Sequence, residues 1–232
     1  MTDQTDQTDQ SDPPGAATAP TIGYALLGLL ALRSWTGYEL AAQVRSTLRL
    51  VWPSSEAHVY REQRRLVSRG WASVTAEPAG RRTRNRYAIT DAGRMALRAW
   101  LATPPKPPTL EVEAFVRLWF ADQGSPENLV ASLRATAAAA RSSVAEAAGL
   151  ADIYLAGNGA FPGRVHLNAL VGELVTETLL VIARHCERAS REVGAWETTE
   201  GHGMDAVTRA RLRRVVEAAG PDLRPAGDQP LS

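Results

Sequence analysis

The chain has little cysteine, little lysine and no long hydrophobic run. Its single cysteine, Cys186, excludes an internal disulfide framework, which is typical of a protein in a reducing compartment. The longest uncharged and mainly apolar run, from Ile22 to Leu32, is too short to cross a bilayer. The first residues are acidic and polar, the reverse of a secretory or mitochondrial signal. These features predict a soluble cytoplasmic protein.

The sequence also lacks motifs for catalysis and for metal binding. It contains no nucleophile elbow, no P-loop and no dinucleotide fingerprint. His185, Cys186 and Glu187 are adjacent and would point in different directions on a helix, and His166 and His202 complete no tetrahedral set of ligands. We therefore predict no enzyme, no metal site and no cofactor, and we interpret Cys186 as an inert core thiol rather than a redox switch.

Arginine is abundant, with 25 arginines against one lysine, and its distribution is uneven. Residues 1–20 hold four aspartates and no basic residue. Residues 21–103 hold 13 arginines and five acids, a net charge of +8, whereas residues 104–232 have a net charge of −3. A basic module between acidic segments is the asymmetry expected when one domain contacts a polyanion.

Composition divides the chain into four segments. Residues 1–20, which contain three Thr-Asp-Gln repeats, predict a disordered acidic tail, and residues 221–232 predict a flexible one. A stretch with four prolines at 103–108 separates a winged-helix domain at 21–103 from a helical dimerisation and effector domain at 104–220. The predicted fold class is mainly α with a small β-hairpin wing.

The first domain is organised around one helix and the hairpin that follows it. Residues 54–69 predict an amphipathic helix with Ser54 or Ser55 as its cap. The hairpin is predicted as a strand, an arginine-rich turn and a return strand, at 71–75, 77–84 and 86–90. A basic helix beside a basic hairpin is the form of a winged helix-turn-helix. The helix fits the major groove, and the hairpin tip fits phosphates or the minor groove.

Four motifs resemble the PadR family of bacterial transcriptional regulators. They are Tyr-Ala-Leu-Leu-Gly-Leu-Leu at 24–30, Thr-Gly-Tyr-Glu-Leu at 36–40, the Val-Tyr, Arg-Leu and Gly within 59–70, and Arg-Tyr-Ala-Ile-Thr-Asp-Ala-Gly at 86–93. The resemblance covers about residues 22–101 and implies a DNA-contacting role for Tyr60. Gln63 stands where the family has a leucine, so either this side chain has a hydrogen-bond partner or the helix is rotated slightly from the predicted orientation. Larger members add a helical C-terminal dimerisation domain, which the pattern of the second half fits.

The predicted DNA contacts lie on the amphipathic helix, on the helix before it and on the hairpin. Tyr38 is open to two interpretations, a phosphate contact or a half-buried core tyrosine. The hairpin arginines are expected to touch phosphate and to supply affinity and salt dependence. A merely solvated basic surface is the alternative for the helix. The complete set is Tyr38, Ser54, His58, Tyr60, Arg61, Arg64, Arg65, Arg81, Arg82, Arg84 and Arg86.

Aromatic residues cluster in sequence around the domain junction, at Trp100, Phe115, Trp119 and Phe120. They predict either an effector pocket or ordinary core packing. The family resemblance favours the pocket, since such regulators respond to phenolic or drug-like molecules. A short loop is predicted at 33–36, and a helix from Ser125 to about Ala148. Residues 164–193 predict one long helix with coiled-coil-like spacing, and the first helix, at 21–32, is apolar almost all round. The dimer contacts predicted from these two helices are Leu26, Leu30, Leu167, Val171, Leu174 and Val181.

We therefore expect a homodimeric, sequence-specific DNA-binding transcriptional regulator, a repressor released by a small aromatic or drug-like effector. Its expected partners are a double-stranded DNA operator and a second copy of itself, and not a membrane. The alternative is a winged-helix protein-interaction module without direct DNA binding. Steep salt dependence of binding to random duplex DNA would distinguish the two, because an interaction module need not show it.

Overall fold

The computed structural model describes residues 19–79, 82–201 and 203–220. The chain divides into two compact units, with the boundary between Pro108 and Thr109. The acidic tail predicted at 1–20, except for its last two residues, the tail predicted at 221–232 and Arg81 lie outside the described residues. The described chain is mostly helical with one small antiparallel sheet, which confirms the predicted fold class.

The first unit has the element order of a winged helix-turn-helix. Its helices are α1 (Thr21–Leu32), α2 (Gly37–Thr47), α3 (Glu56–Ser68) and α4 (Asp91–Leu101). Its strands are β1 (Trp35–Thr36), β2 (Ala72–Ala79) and β3 (Arg82–Ile89). The sheet has the order β1–β3–β2, so β3 lies in the middle and the hairpin strand β2 forms an edge.

Side-chain caps determine where three of these helices begin. The Thr36 hydroxyl accepts from the backbone of Glu39 at 3.2 Å, and the Glu39 carboxylate accepts from the backbone of Thr36 at 2.7 Å, which completes a capping box on α2. Ser55, rather than Ser54, caps α3. Thr90 caps α4. Each such cap contributes about 0.5–2 kcal/mol to the stability of the fold.

The hairpin is longer than the sequence predicted. Strands β2 and β3 pair without interruption from Ala72 opposite Ile89 to Ala79 opposite Arg82, so most of the predicted turn at 77–84 is strand. Pro78 is accepted there because β2 is an edge strand, where a missing N–H costs the sheet little. The predicted loop at 33–36 also differs, because β1 adds a third strand beside β3.

Helix α1 is covered by its own unit. Leu26 and Leu30 are 0% and 2% exposed, and α1 contacts α2, α3, α4 and β3. The prediction that these two leucines contact a second subunit is therefore wrong for this conformation. Four surrounding elements are enough to cover a helix that is apolar on nearly all sides, and no partner is needed for that purpose.

Gly93 allows α4 to pack closely against the residue that precedes β2. A Cβ on Gly93 would lie 2.0 Å from the backbone oxygen of Trp71, which cannot move aside alone. We expect Gly93→Ala to lower the free energy of unfolding by about 1–3 kcal/mol. Gly28→Ala in α1 is the control, because nothing lies within 4 Å of its new methyl group. Denaturant unfolding of both variants checks the packing, and equal stability of the two would contradict it.

The second unit is helical throughout its described residues. It contains α5 (Glu113–Trp119), α6 (Pro126–Leu155), α7 (Val165–Val193) and α8 (Ala206–Ala219), with short 3-10 turns at 121–123 and 162–164. Helices α6 and α7 pack against each other and completely bury Leu133, Ala183 and Cys186. Burial, followed by the charge of Glu187, raises the pKa of the Cys186 thiol, as expected for an unreactive core cysteine.

One surface of α7 is exposed and apolar. We call it the α7 stripe, and its members are Leu167, Leu170, Val171, Leu174 and Val181, each between 43% and 65% exposed. The segment Pro162–Val193 is long and apolar enough to cross a membrane by length and composition, criteria that core helices of soluble proteins also meet. Exposed apolar stripes of this kind are typical of surfaces that bind a protein, a ligand or a membrane.

Candidate nucleic-acid interface

Helix α3 separates an apolar inner side from a basic outer side. Val59 and Leu66 are 2% and 1% exposed and anchor the inner side. Arg61 and Arg64, one turn apart, are exposed on the outer side. Neither guanidinium has a hydrogen bond or ion pair with the part of the chain that the structure describes. Their charge is therefore free to meet an anion in solution.

Gln63 has the hydrogen-bond partner that one of the two interpretations predicted. Its Nε2 donates to the backbone oxygen of Gly37 at 3.1 Å, at the first residue of α2. The side chain is 1% exposed, and its Oε1 has no partner among the described residues. Gln63 thus joins α3 to the start of α2 by a polar contact where a leucine would pack.

Tyr38 projects from the first turn of α2, close in sequence to that contact. Its side chain is 70% exposed, which excludes the half-buried core tyrosine that the sequence left open. Ser54, His58 and Tyr60 are each half-buried. A groove of about 290 Å³ separates α3 from the hairpin, and its walls are Tyr60, Arg64, Val67, Val74, Asn85 and Tyr87.

The hairpin arginines differ from one another. Arg84 is exposed on β3, and its guanidinium has no hydrogen bond or ion pair with the described residues. Arg82 is described by its backbone only, as the first residue of β3, and Arg81 lies outside the described residues. Arg84 is therefore the one hairpin arginine for which the structure shows an outward charge.

Arg86 is held inside the base of the hairpin. Its Nε donates to both carboxylate oxygens of Glu77 at 2.7 Å, and its NH1 donates to the backbone of Ser34 at 3.4 Å. The hydrogen bond to Glu77 raises the pKa of Arg86. The pKa of Glu39 is lowered, chiefly because its carboxylate accepts from the backbone N–H of Thr36 and further because of the charge of Arg86. Arg86 was predicted to contact DNA, and its pairing with Glu77 gives it a structural role in the wing, so its DNA contact stays a prediction.

The second unit contains a cavity of about 640 Å³ between α5 and α7. Its walls are mainly apolar: Leu110, Phe115, Leu118, Trp119, Leu174, Glu177, Thr178, Val181, Ile182 and His185. Two of the four aromatic residues predicted for an effector site line it. The other two do not: Phe120 is not one of the wall residues, and Trp100 belongs to the first unit, where its ring stacks on Tyr24 with the ring centroids 4.8 Å apart.

His185 is the most polar aromatic group of the cavity wall. Burial, followed by the charges of Arg188 and Arg211, lowers the pKa of its imidazole, so the ring is neutral near pH 7. Its Nδ1 lies 3.2 Å from the Arg188 guanidinium, and its ring meets Phe115 edge-on at 5.7 Å. Because Arg188 can only donate, Nδ1 accepts and Nε2 carries the proton.

Potential metal ligands do not cluster in the described ranges 19–79, 82–201 and 203–220, where no three His, Cys, Asp or Glu side chains come together. The first unit thus carries a basic helix and a hairpin, and the second unit carries a largely apolar cavity.

Residues 26–99 match the family model of the transcriptional regulator PadR-like family. This match covers about a third of the chain and nearly all of the winged unit, so residues 26–99 form a PadR-like domain. The negative transcriptional regulator PadR of Bacillus subtilis is 27% identical over 99 residues, which are 42% of this chain and 54% of that protein. A probable transcriptional regulator of Mycobacterium tuberculosis is 32% identical over 85 residues, 36% of this chain and 45% of that protein. The chain thus spans about half the length of the curated relatives it matches.

Solved structures of the Bacillus subtilis relative have a fold similar to that of this chain. Its complex with operator DNA gives a TM-score of 0.62 at 19% identity, covering 75% of this chain and 99% of the other. Its complex with p-coumaric acid gives 0.56 at 20% identity, with 75% and 98% covered. At these identities the likeness concerns the fold alone. The family and these relatives are transcriptional regulators and not enzymes.

Sequence reasoning missed two features of the structure. Glu62, which lies between arginines in the sequence, looks like a solvated charge but is 0% exposed. Its spacing of three residues from Arg65 was the available signal for an ion pair. The contribution of α7 to the cavity wall, including Glu177 and His185, was also missed, because α5 and α7 are far apart in the sequence.

Proposed function

We propose that the protein is a homodimeric repressor of transcription in the cytoplasm, which binds a double-stranded DNA operator and releases it when a small aromatic effector binds. The observation that carries this proposal is the outer side of α3, where Arg61 and Arg64 are exposed and unpaired within the described chain. The Bacillus subtilis relative, described as a negative regulator and crystallised with operator DNA, supports it.

The proposed DNA contact uses α3 in the major groove and the hairpin beside it. A major groove about 12 Å wide admits a helix of this kind. Arg61 and Arg64 lie on the side of α3 opposite its buried anchors, and Tyr38 extends from the neighbouring helix. Arg84 supplies positive charge on the hairpin, suited to a phosphate or to the minor groove.

The proposed dimer contact is the α7 stripe. Leu167, Val171, Leu174 and Val181 were expected there, and their exposure supports that role, as does the exposure of Leu170. Covering such a stripe with the same stripe of a second copy satisfies the two-fold symmetry of most homodimers. Two winged units would then reach half-sites about one turn of DNA apart.

The proposed effector site is the cavity between α5 and α7. Phe115 and Trp119 offer aromatic walls for a flat apolar molecule, and His185 offers a hydrogen-bond donor. The p-coumaric acid complex of the Bacillus subtilis relative supports a small aromatic ligand. Leu174 and Val181 belong both to the cavity and to the α7 stripe. A ligand in the cavity would therefore bind unequally to two arrangements of the dimer, one that binds DNA and one that does not.

Titration of the full-length protein with a random-sequence duplex over a series of salt concentrations tests the DNA step. We expect the logarithm of the affinity to fall linearly with the logarithm of the salt concentration, with a slope of about −0.9 for each phosphate contact. Footprinting on the DNA upstream of its own gene then locates an operator. Failure to bind duplex DNA at low salt would instead favour a winged-helix module that binds an acidic protein.

A further inference from the structure

Glu62 is a carboxylate buried within the helix proposed to read DNA. Its side chain is 0% exposed, although it lies on α3 between the exposed Arg61 and the buried Gln63. Its Oε1 accepts a hydrogen bond from the NH1 of Arg65 at 2.8 Å. The Arg65 side chain is 51% exposed, so this ion pair has one end in the core and the other in solvent.

The surroundings of Glu62 explain why a buried negative charge is tolerated there. A Cβ placed on Gly23 would lie 3.6 Å from Glu62 Oε2, so this oxygen faces the first turn of α1. Helix α1 has neither a side-chain cap nor an acid in its first turn. The carboxylate of Glu62 therefore places negative charge from another helix near the positive end of α1, although its Oε2 accepts no hydrogen bond from a described residue.

The position of the Arg65 guanidinium is determined by this buried partner. Glu62 is immobilised by packing, and one nitrogen of Arg65 is bound to it, whereas the remaining N–H groups are free to bind elsewhere. His58 Nε2 lies on the other side, 3.8 Å from the same oxygen, and is beyond hydrogen-bond range. Arg61 and Arg64 have no such partner among the described residues.

We propose that Glu62 is a positioning residue that assigns Arg65 to reading bases and leaves phosphate attraction to Arg61 and Arg64. A neutralised ion pair releases little counterion when it meets a phosphate, so it contributes little to the salt dependence of binding. Its outward N–H groups still match the acceptors of guanine in the major groove, which is the commonest specific contact of arginine. This inference rests on the proposed DNA-binding function.

A three-variant comparison of the full-length protein tests the inference. The first readout is the salt slope of binding to a random-sequence duplex. The second is the affinity ratio, which is the affinity for a duplex that the wild type selects from a random pool divided by the affinity for the random-sequence duplex. Glu62→Gln keeps the size and a hydrogen-bond acceptor but removes the charge. Arg65 then becomes a full cation, and we expect the slope to steepen by about one phosphate contact and the affinity ratio to fall.

The double variant Glu62→Gln with Arg65→Ala is the matched control, and its slope should return to the wild-type value. Arg65→Ala alone is avoided, because it would leave a buried carboxylate unpaired. Arg65→Lys keeps the ion pair but loses the planar fork. It should keep the wild-type slope and lower the affinity ratio about tenfold.

A Glu62→Gln variant that unfolds cooperatively and has the wild-type slope would overturn the inference. If that variant does not fold, Arg65→Lys decides, and an unchanged affinity ratio would overturn it. Wild-type protein that binds no duplex at all would instead refute the proposed function, so the two failures are distinguishable.

Discussion

Replacing Arg61 and Arg64 with alanine is expected to weaken binding of the full-length protein to duplex DNA about equally for all sequences. Both side chains are exposed on the outer side of α3, and neither is neutralised by another described residue. The salt slope should also become shallower by about two contacts, because two cations that displace counterions are lost. Fluorescence anisotropy with a labelled duplex over a salt series measures both effects.

The matched control for that variant replaces Arg94 and Arg98 with alanine. These arginines are exposed on α4 of the same unit, so the control removes the same charge from a different element. We expect a loss well below that of the α3 variant, since only long-range attraction is reduced. Equal losses in the two variants would show that binding depends on net charge and not on α3.

Introducing a carboxylate into the α7 stripe is expected to separate the dimer into monomers. Leu170 is 65% exposed and does not line the cavity, so Leu170→Glu changes the proposed contact and leaves the proposed effector site intact. Two-fold symmetry would place two carboxylates in an apolar contact, where unpaired charges cost several kcal/mol. Light scattering at micromolar concentration should show a dimer for the wild type and a monomer for the variant.

Loss of the dimer should also weaken binding to a two-half-site operator by about 10²–10⁴-fold, because the second recognition helix would no longer be held near its half-site. Leu155→Glu is the control. Leu155 is 85% exposed at the last residue of α6, outside the α7 stripe, and its replacement should change neither property. A Leu170→Glu variant that remains a dimer would move the contact away from the stripe.

The positions of most helices follow from the local pattern. Helix α1 was expected at 21–32 and is found at Thr21–Leu32, and α7 was expected at 164–193 and is found at Val165–Val193. Apolar spacing and side-chain caps act over a few residues, which is why these elements can be located without the rest of the fold. Helix α6 is an exception, since it was expected to end near Ala148 and continues to Leu155.

The lengths of the strands were harder to predict for a physical reason. Glu77 and Arg84 flank Pro78 and Gly80, which are typical of turns, yet they are paired across β2 and β3. A strand depends on the neighbour that supplies its hydrogen bonds, and that neighbour is distant along the chain. The ion pair of Arg86 with Glu77, at 2.7 Å, adds to the stability of this extended ladder.

By itself, the sequence determined that a basic winged unit precedes an acidic helical unit, and that α3 has an arginine-rich outer side. These properties depend on composition and on a local period of 3.6 residues. Only the tertiary structure decided that the carboxylate paired with Arg65 is buried and that Arg86 is paired with Glu77, because burial of Glu62 requires α3 to dock and the Arg86 pair requires the strands to align. It also decided that α1 is covered by its own unit and that the α7 stripe is exposed, because burial depends on what packs against a helix and not on the helix alone.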